Sequence, residues 1–334
     1  MNAPRYSDAE VEELLGAYAL DACEPAEVEA IEAVLARRPD LADDAARLAQ
    51  VAAWIGAASA LRAPGHLRDE TLARAVARRA AVTDPVVDLY VTLSDAFAAN
   101  LDAFPPSSLD ARTANGLTAR DLVVHVAAQE SLLAQLVGTP TLDAVDEIEI
   151  DARTAAAIAA FDGHTLDDVV SEWRAAVDAN RQWALARQDE RTEWRGLQLT
   201  RHDALVVRAF ETWVHTEDLG RVGGLPARVP APEHLALMTD LAGRSLGLSL
   251  ALAGRERPGR TARLVLTGPG GGEWLVEMGG GDPGSVDVTI VADAVEWCRL
   301  VGDRIASDDL EVEIEGDAAL AGDLIASANA LATL

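Results

Sequence analysis

The chain is long, acidic and rich in apolar residues. Its 334 residues include 55 acidic and 28 basic side chains, which gives a formal net charge of −27, and every basic side chain is an arginine. A surface this negative repels a phosphate backbone, so general nucleic-acid binding is excluded. Hydrophobic residues make up 49% of the chain, which excludes wholesale disorder. A typical domain length of ~150 residues predicts two or three domains.

Neither the start of the chain nor its apolar runs suggest a membrane protein. The longest apolar runs are shorter than the ~18 residues that cross a bilayer. Acidic residues such as Asp8 and Glu10 near the start are incompatible with a signal peptide. We therefore expect a cytoplasmic protein that does not contact a membrane.

The two cysteines, Cys23 and Cys298, stand too far apart in sequence to form a disulfide framework or a cysteine-rich metal site. The acidic neighbours Asp21 and Glu24 should raise the pKa of Cys23 and reduce its reactivity. Cys298 lies in a predicted amphipathic helix and is expected in the core. Any thiol chemistry therefore needs a thiol from a small molecule.

The first segment, residues 1–80, has a helical pattern throughout. Ser7 and Glu10 form a capping box at the start of the first predicted helix, and a second helix follows Pro25. The third predicted helix carries four apolar residues: Leu48, Val51, Trp54 and Ile55.

The second segment, residues 83–224, predicts a four-helix bundle. Turn residues separate helical patterns over residues 86–104, 118–137, 165–187 and 201–219, the third of them interrupted upstream at Gly163. The side chain of Thr118 is expected to cap the backbone amide of Asp121.

The third segment, residues 230–334, predicts an α+β domain. Helices are expected over residues 234–253, 294–305 and 318–331, and strands over residues 261–267, 273–278, 286–291 and 310–314. Two glycine triplets at 270–272 and 279–281 flank a predicted strand, so we expect hairpin loops and not phosphate-binding loops. The predicted fold class is therefore multidomain, α and α+β.

Two histidines on the predicted bundle helices are candidate metal ligands. His215 follows Glu211 by four positions, so both side chains lie on one helix face. His125 lies on the apolar face of the second helix and should point inward. Two imidazoles and a carboxylate form the donor set of an open zinc site. Spacing alone favours hydrogen-bonded core histidines over metal ligands. The other four histidines, His66, His164, His202 and His234, are expected to be exposed.

Two segments of the predicted bundle resemble the motifs of a known enzyme family. Gly116 to His125 (GLTARDLVVH) resembles the opening of the metal-binding helix in mycothiol-dependent maleylpyruvate isomerases, which are DinB-like four-helix bundles. Phe210 to Leu219 (FETWVHTEDL) resembles the second family motif, in which a Glu and a His stand four apart. Thr261 to Gly268 and Leu310 to Asp317 resemble the sterol-carrier-like domain attached to those enzymes. The resemblance covers roughly residues 83–334.

This resemblance implies a divalent metal, usually zinc, held by His125, Glu211 and His215, with mycothiol as thiol cofactor. In the family, a metal-bound thiolate adds to the double bond of maleylpyruvate, allows rotation and leaves to give fumarylpyruvate. S-transfer to another electrophile is equally compatible with such a site. The implied partners are a small-molecule thiol and an electrophilic substrate.

The resemblance also directs attention to four further side chains. Asp121 or Asp218 is a candidate to accept a hydrogen bond from the second nitrogen of a metal-binding imidazole. Family enzymes use an arginine from the C-terminal domain. Both Arg299 and Arg304 are candidate counterparts of that arginine.

The first segment resembles a different family. Leu14 to Ala22 followed by Pro25 to Glu27 resembles the N-terminal helical domain of bacterial anti-sigma factors. Residues 34–48 contain neither His nor Cys, so the zinc motif of many such domains is absent. A sigma factor is therefore a candidate partner of residues 1–80, and an alternative function is a non-catalytic regulator that senses metal or thiol. A third alternative is an apolar-ligand carrier formed by the C-terminal domain.

Overall fold

The computed structural model describes residues 6–59, 84–142, 145–187, 190–194 and 196–331. Helices predominate there, and six strands form a two-stranded and a four-stranded sheet. The predicted multidomain class, α and α+β, is therefore confirmed. The chain divides into two compact units, Met1–Ala80 and Ala81–Leu334.

Within residues 6–59, the first unit contains three helices: α1 (Asp8–Ala19), α2 (Pro25–Leu35) and α3 (Pro39–Ser59). The Ser7–Glu10 capping box is present at the start of α1, as predicted. Pro25 begins α2, where its missing amide proton costs no hydrogen bond. In this described part of the unit, the buried core contains six side chains: Val11, Leu15, Ile31, Val34, Leu41 and Ala45.

Several later apolar residues of α3 are exposed. Leu48, Val51 and Trp54 are 40%, 46% and 66% exposed. The reason is a difference in length, because α3 has 21 residues and spans ~32 Å, whereas α1 and α2 have 12 and 11 residues. The core uses the first turns of α3, through Leu41 and Ala45. The side chain of Ile55 lies outside the described residues.

In the described residues the second unit begins with five helices. Four of them match the four predicted segments, and the fifth lies upstream of the predicted interruption in the third segment. Their bounds are α4 (Pro85–Ala103), α5 (Ala119–Leu136), α6 (Ile150–Ala160), α7 (Leu166–Ala186) and α8 (Arg201–Gly223). The predicted interruption at Gly163 falls between α6 and α7. The hydroxyl of Thr118 accepts a hydrogen bond from the amide of Asp121 at 3.0 Å, as predicted. Helix α8 packs against α4 and α5.

A short antiparallel hairpin, β1 (Arg191–Trp194) and β2 (Leu197–Thr200), precedes α8 and was not predicted. Each strand has only four residues, which is too short for an alternating pattern to stand out. The buried side chains of Thr192 and Trp194 hold the hairpin against the bundle.

The C-terminal part combines three helices with the four-stranded sheet. In chain order these are α9 (Pro232–Leu252), β3 (Arg260–Thr267), β4 (Gly272–Met278), β5 (Val288–Asp293), α10 (Ala294–Val301), β6 (Val312–Gly316) and α11 (Ala318–Ser327). The strand order is β4-β3-β5-β6, with β3 and β5 parallel and the outer pairs antiparallel. Two predicted helices are shorter than expected: α10 ends at Val301, and α11 continues only as the 3₁₀ turn Ala328–Leu331.

Helix α9 belongs to both cores of the second unit. Leu235 and Met238 pack into the bundle core, whereas Leu246 and Leu250 pack under the sheet. Contrary to the sequence expectation, this helix is long and apolar enough to cross a membrane by length and composition, but 44% of that stretch is buried inside the fold. Its two-sided packing explains why the bundle and the α+β part form one unit.

Candidate metal centre

The structure brings the three predicted ligands together. His125 lies on α5, and Glu211 and His215 lie four positions apart on α8. Glu211 Oε1 is 3.3 Å from His125 Nε2 and 3.9 Å from His215 Nε2. One ligand atom from each residue lies within 4.8 Å of the other two. The two imidazole rings are nearly perpendicular, at 82°, with centroids 5.0 Å apart, so both Nε2 atoms face the same carboxylate oxygen.

The hydrogen bonds of Thr154 define the tautomer of His125. The Thr154 hydroxyl donates its single proton to the carbonyl oxygen of Ile150 at 2.7 Å. Its oxygen lies 2.8 Å from His125 Nδ1 and must therefore act as the acceptor there. His125 then carries its proton on Nδ1 and presents the Nε2 lone pair to Glu211.

Asp218 has the corresponding role for His215. Its Oδ2 lies 3.1 Å from His215 Nδ1, so an Nδ1 proton donated to this carboxylate leaves Nε2 unprotonated. Burial lowers the pKa of His215, which keeps the ring neutral. Burial alone would raise the pKa of Asp218, but hydrogen bonds from His215 and Arg304 outweigh it and lower that pKa below its usual value. Arg304 Nη2 also lies 3.3 Å from His215 Nδ1, but a guanidinium cannot accept the imidazole proton, so Asp218 is the acceptor.

One oxygen of Glu211 accepts a hydrogen bond from a buried arginine. Arg208 is fully buried, and its Nη1 donates to Glu211 Oε2. Its Nε donates to Glu130 Oε2 at 3.2 Å, and Glu130 accepts further hydrogen bonds from Tyr90 and Asn180. Burial alone would raise the pKa of Glu211, but the charge of Arg208 holds it well below its usual range. The carboxylate is therefore ionised and restrained through one oxygen.

Oε1, the oxygen of Glu211 that Arg208 does not contact, shows whether a metal would fit this cluster. Oε1 is buried, and among the described residues no group donates a hydrogen bond to it. It faces two imidazole nitrogens whose lone pairs point toward it, so three electron-pair donors converge without a proton between them. Such an arrangement is costly alone, because a buried acceptor atom needs a hydrogen-bond donor or a cation as its partner. A divalent cation that prefers nitrogen and carboxylate ligands satisfies all three atoms at once.

The sequence prediction named the three residues of this cluster but only some of the side chains that hydrogen-bond to them. Asp121 and Asp218 were the two predicted hydrogen-bond acceptors for the imidazoles. Asp218 does contact His215. The partner of His125 is Thr154 and not Asp121. Arg208, Glu130 and Tyr90 were missed. The spacing of Arg208 and Glu211, three apart on one helix, was a usable signal for an ion pair. Thr154 had none, since only the folding of α6 against α5 brings it to the ring.

The two candidate arginines contact neighbouring acids on α8. Arg304 makes a hydrogen-bonded ion pair with Asp218, at 2.5 Å for Nη2 and Oδ2. Arg299 donates to both oxygens of Glu217, at 2.7 and 3.2 Å. Both arginines thus join the C-terminal domain to the helix that carries Glu211 and His215.

The remaining histidines follow the sequence expectation only in part. His164 is exposed, as expected, His202 is half-buried, and His66 lies outside the described residues. The expected exposure of His234 is wrong, because it is only 6% exposed and its Nε2 lies 3.0 Å from Asp88 Oδ2. The first turn of α9 packs against α4, and Asp88 provides the buried ring with a hydrogen-bond acceptor.

Comparison with known proteins shows a similarity between the bundle and one domain family. Two solved structures, the mycothiol-dependent maleylpyruvate isomerase and a point mutant of it, align with TM-scores of 0.48 and 0.47 at 16% identity, over 68% of this chain and 91% of theirs. No curated protein matches the chain. Residues 90–220, which include all three candidate ligands, match the model of the mycothiol maleylpyruvate isomerase N-terminal domain. This segment of the chain is therefore similar to the mycothiol maleylpyruvate isomerase N-terminal domain.

Proposed function

We propose that the chain is a metal-dependent isomerase or S-transferase of the maleylpyruvate isomerase type, which uses a small thiol such as mycothiol. In this proposal His125, Glu211 and His215 hold a divalent metal. The observation that carries it is the buried Oε1 of Glu211, which lies between two imidazole nitrogens and receives no hydrogen bond from the described residues. Two imidazoles and one carboxylate are a zinc donor set that leaves one position for a further ligand, so zinc is the proposed metal.

The bound metal would lower the pKa of a coordinating thiol and so supply a thiolate at neutral pH. The protein's own residues prepare the site for that step. Thr154 and Asp218 hold the imidazoles with their Nε2 lone pairs directed inward. Arg208 keeps Glu211 ionised and occupies its second oxygen, which leaves one oxygen for the metal.

The protein's own cysteines are poorly suited to provide the thiol. Cys298 is fully buried in the bundle core, and burial raises the pKa of its thiol well above the usual range. The pKa of Cys23 is raised by burial and by the charges of Glu27 and Asp21. An external thiol is therefore part of the proposal, and the family of the bundle domain points to mycothiol.

The first test is metal content of the purified full-length protein. Wild type, His125→Ala and His215→Ala are compared with His164→Ala, a matched control because His164 is exposed and lies outside the ligand cluster. We expect one zinc per chain in wild type and in His164→Ala, and loss of zinc in the other two variants. Loaded protein is then assayed for mycothiol-dependent isomerisation of maleylpyruvate and for thiol transfer to simple electrophiles. Failure of wild type to hold any divalent metal after loading would exclude the metalloenzyme.

The same assays address the alternative of a non-catalytic regulator. A chain that binds zinc and thiol with no turnover of any electrophile would favour a sensor. The comparisons give no support for a sigma-factor partner of residues 1–80, so that partner remains a prediction from the sequence. Likewise, the apolar-ligand carrier remains a prediction, and the space between the sheet and its helices is filled by core side chains such as Leu264, Ile290 and Trp297.

A further inference from the structure

The C-terminal domain contacts the candidate metal centre from behind His215. Arg304 follows α10 and donates from Nε and Nη2 to the carboxylate of Asp218, at 2.8 and 2.5 Å. Asp218 is 1% exposed, and the same carboxylate accepts the Nδ1 proton of His215. A chain of two contacts therefore links the C-terminal domain to a proposed metal ligand.

We propose that Arg304 is a positioning residue that couples docking of the C-terminal domain to metal affinity. The inference rests on the proposed metal site. A buried carboxylate needs compensating charge, and the two Arg304 donors provide it while fixing the orientation of Asp218. The other nearby cation, Arg221, is 3.7 Å from Asp218 and mostly exposed, so it contributes less. Without Arg304, Asp218 loses the geometry that orients His215.

The turn that carries Arg304 is preformed and closely packed on α8. Arg304 Nη1 donates to the carbonyl of Gly302 at 2.6 Å, and its backbone amide donates to the carbonyl of Arg299 at 2.7 Å. A Cβ at Gly302 would lie 2.9 Å from a methyl group of Val214, the residue before His215. The absence of a side chain at Gly302 therefore lets this turn lie directly against the segment of α8 that bears the ligand.

A second ion pair provides an internal control. Arg299 on α10 donates to Glu217, which is adjacent to Asp218 on α8 and also buried. Arg299 is thus comparable to Arg304 in charge and in joining the same two elements. The difference is that Glu217 has no hydrogen bond to a histidine among the described contacts. Loss of Arg299 should weaken the contact between the C-terminal domain and α8. Loss of Arg304 should weaken this contact and also leave His215 without a correctly oriented Asp218.

Coupling of this kind is reciprocal. If docking of Arg304 favours metal binding, then metal binding must favour docking of Arg304 by the same factor. The backbone amides of residues 302–304 therefore report on the metal, although none of them belongs to the proposed ligand set.

The test uses full-length Arg304→Gln, Arg304→Lys and Arg299→Gln. The zinc Kd is measured by competition with a chromogenic chelator at constant pH, and amide hydrogen exchange is followed over residues 294–305 with and without zinc. We expect Arg304→Gln to raise the Kd about 10- to 100-fold, Arg304→Lys to raise it less, and Arg299→Gln to raise it by less than about 3-fold. Zinc should slow exchange at residues 302–304 in wild type and Arg299→Gln, but not in Arg304→Gln.

Equal Kd values for Arg304→Gln and Arg299→Gln would overturn the inference while leaving the metal site intact. Absence of zinc binding in wild type would instead overturn the proposed metal site itself, and this inference with it. If Arg304→Gln does not fold, Gly302→Ala gives the same comparison, because it displaces the turn from Val214 and keeps both arginines. It should then raise the Kd more than Arg299→Gln does, and a smaller effect overturns the inference.

Discussion

Thr154 accepts a hydrogen bond from Nδ1 of His125 at 2.8 Å, because its own hydroxyl proton is already donated to the carbonyl of Ile150. A residue on α6 therefore determines which nitrogen of an α5 histidine is free. The ring is 8% exposed and has little room to turn once this bond is made. The threonine thus leaves Nε2 of a candidate metal ligand without a proton.

Replacement of Thr154 by valine should weaken zinc binding about 10- to 100-fold, the usual effect of losing a partner that supports a metal-binding histidine. Valine keeps the shape but cannot accept the proton of His125 Nδ1, whereas Thr154→Ser should retain most of the affinity. Thr212→Val is the matched control, since Thr212 is also buried and also donates to the carbonyl four residues earlier, but contacts no histidine. The zinc Kd of each variant decides, and equal values for Thr154→Val and Thr212→Val would refute the role of Thr154.

Glu130→Gln should destabilise the fold by about 3–5 kcal/mol, the cost of breaking a buried ion pair on one side. Glu130 and Arg208 are both fully buried, and Glu130 also accepts hydrogen bonds from Tyr90 and Asn180. Asp102→Asn is the control, because the Arg174–Asp102 pair is exposed and 3.9 Å long, so its loss should cost less than about 1 kcal/mol. Urea denaturation measures both, and comparable losses would contradict a structural role for the buried network.

The sequence was sufficient to predict features that depend on residues close together in the chain. Helix caps such as Thr118 and the four-residue spacing of Glu211 and His215 depend on residues close in the chain, so periodicity and capping chemistry predict them. The three candidate metal ligands were predicted from this spacing together with the resemblance of two short motifs. Each of these features can be predicted without knowing how the helices pack.

The remaining features depend on contacts between distant segments. Thr154 meets His125 and Arg304 meets Asp218 only after the elements pack, and neither contact leaves a periodic trace in the sequence. The buried position of His234 depends in the same way on α4, which provides Asp88. The exposure of α3 residues such as Trp54 also depends on packing, because an apolar helical face does not reveal how far its partners extend.

Gly243→Ala should destabilise the protein by about 1–3 kcal/mol, the usual cost of adding a methyl group to a packed site. Gly243 lies in α9, where a Cβ would be 2.5 Å from the ring of Trp274 on β4. Gly322→Ala is the control, since Gly322 lies in α11 and a Cβ there meets nothing within 4 Å. That substitution should be neutral or stabilise the helix by up to about 1 kcal/mol. Thermal unfolding compares the two, and equal effects would argue against close packing of α9 on β4.

Cys298 should make the stability of the protein fall more steeply at alkaline pH. Burial raises the pKa of this thiol in the folded state, whereas an unfolded cysteine titrates near ~8.5. The stabilisation is therefore complete below ~8.5 and is lost as the pH rises, because only the unfolded chain releases the proton. At pH 9.5 the loss should reach about 1.4 kcal/mol.

Urea denaturation of wild type and Cys298→Ala at pH 7.5 and 9.5 isolates this effect, since all other titrating groups are common to both proteins. Wild type should lose about 1.4 kcal/mol more than the variant between the two pH values. In parallel, a thiol reagent at pH 8 should modify only the half-buried Cys23 in folded protein and both cysteines in urea. Rapid modification of Cys298 in folded protein, or identical pH dependence of the two proteins, would mean that this thiol is accessible. The chain could then provide its own nucleophile, and the requirement for an external thiol would no longer follow.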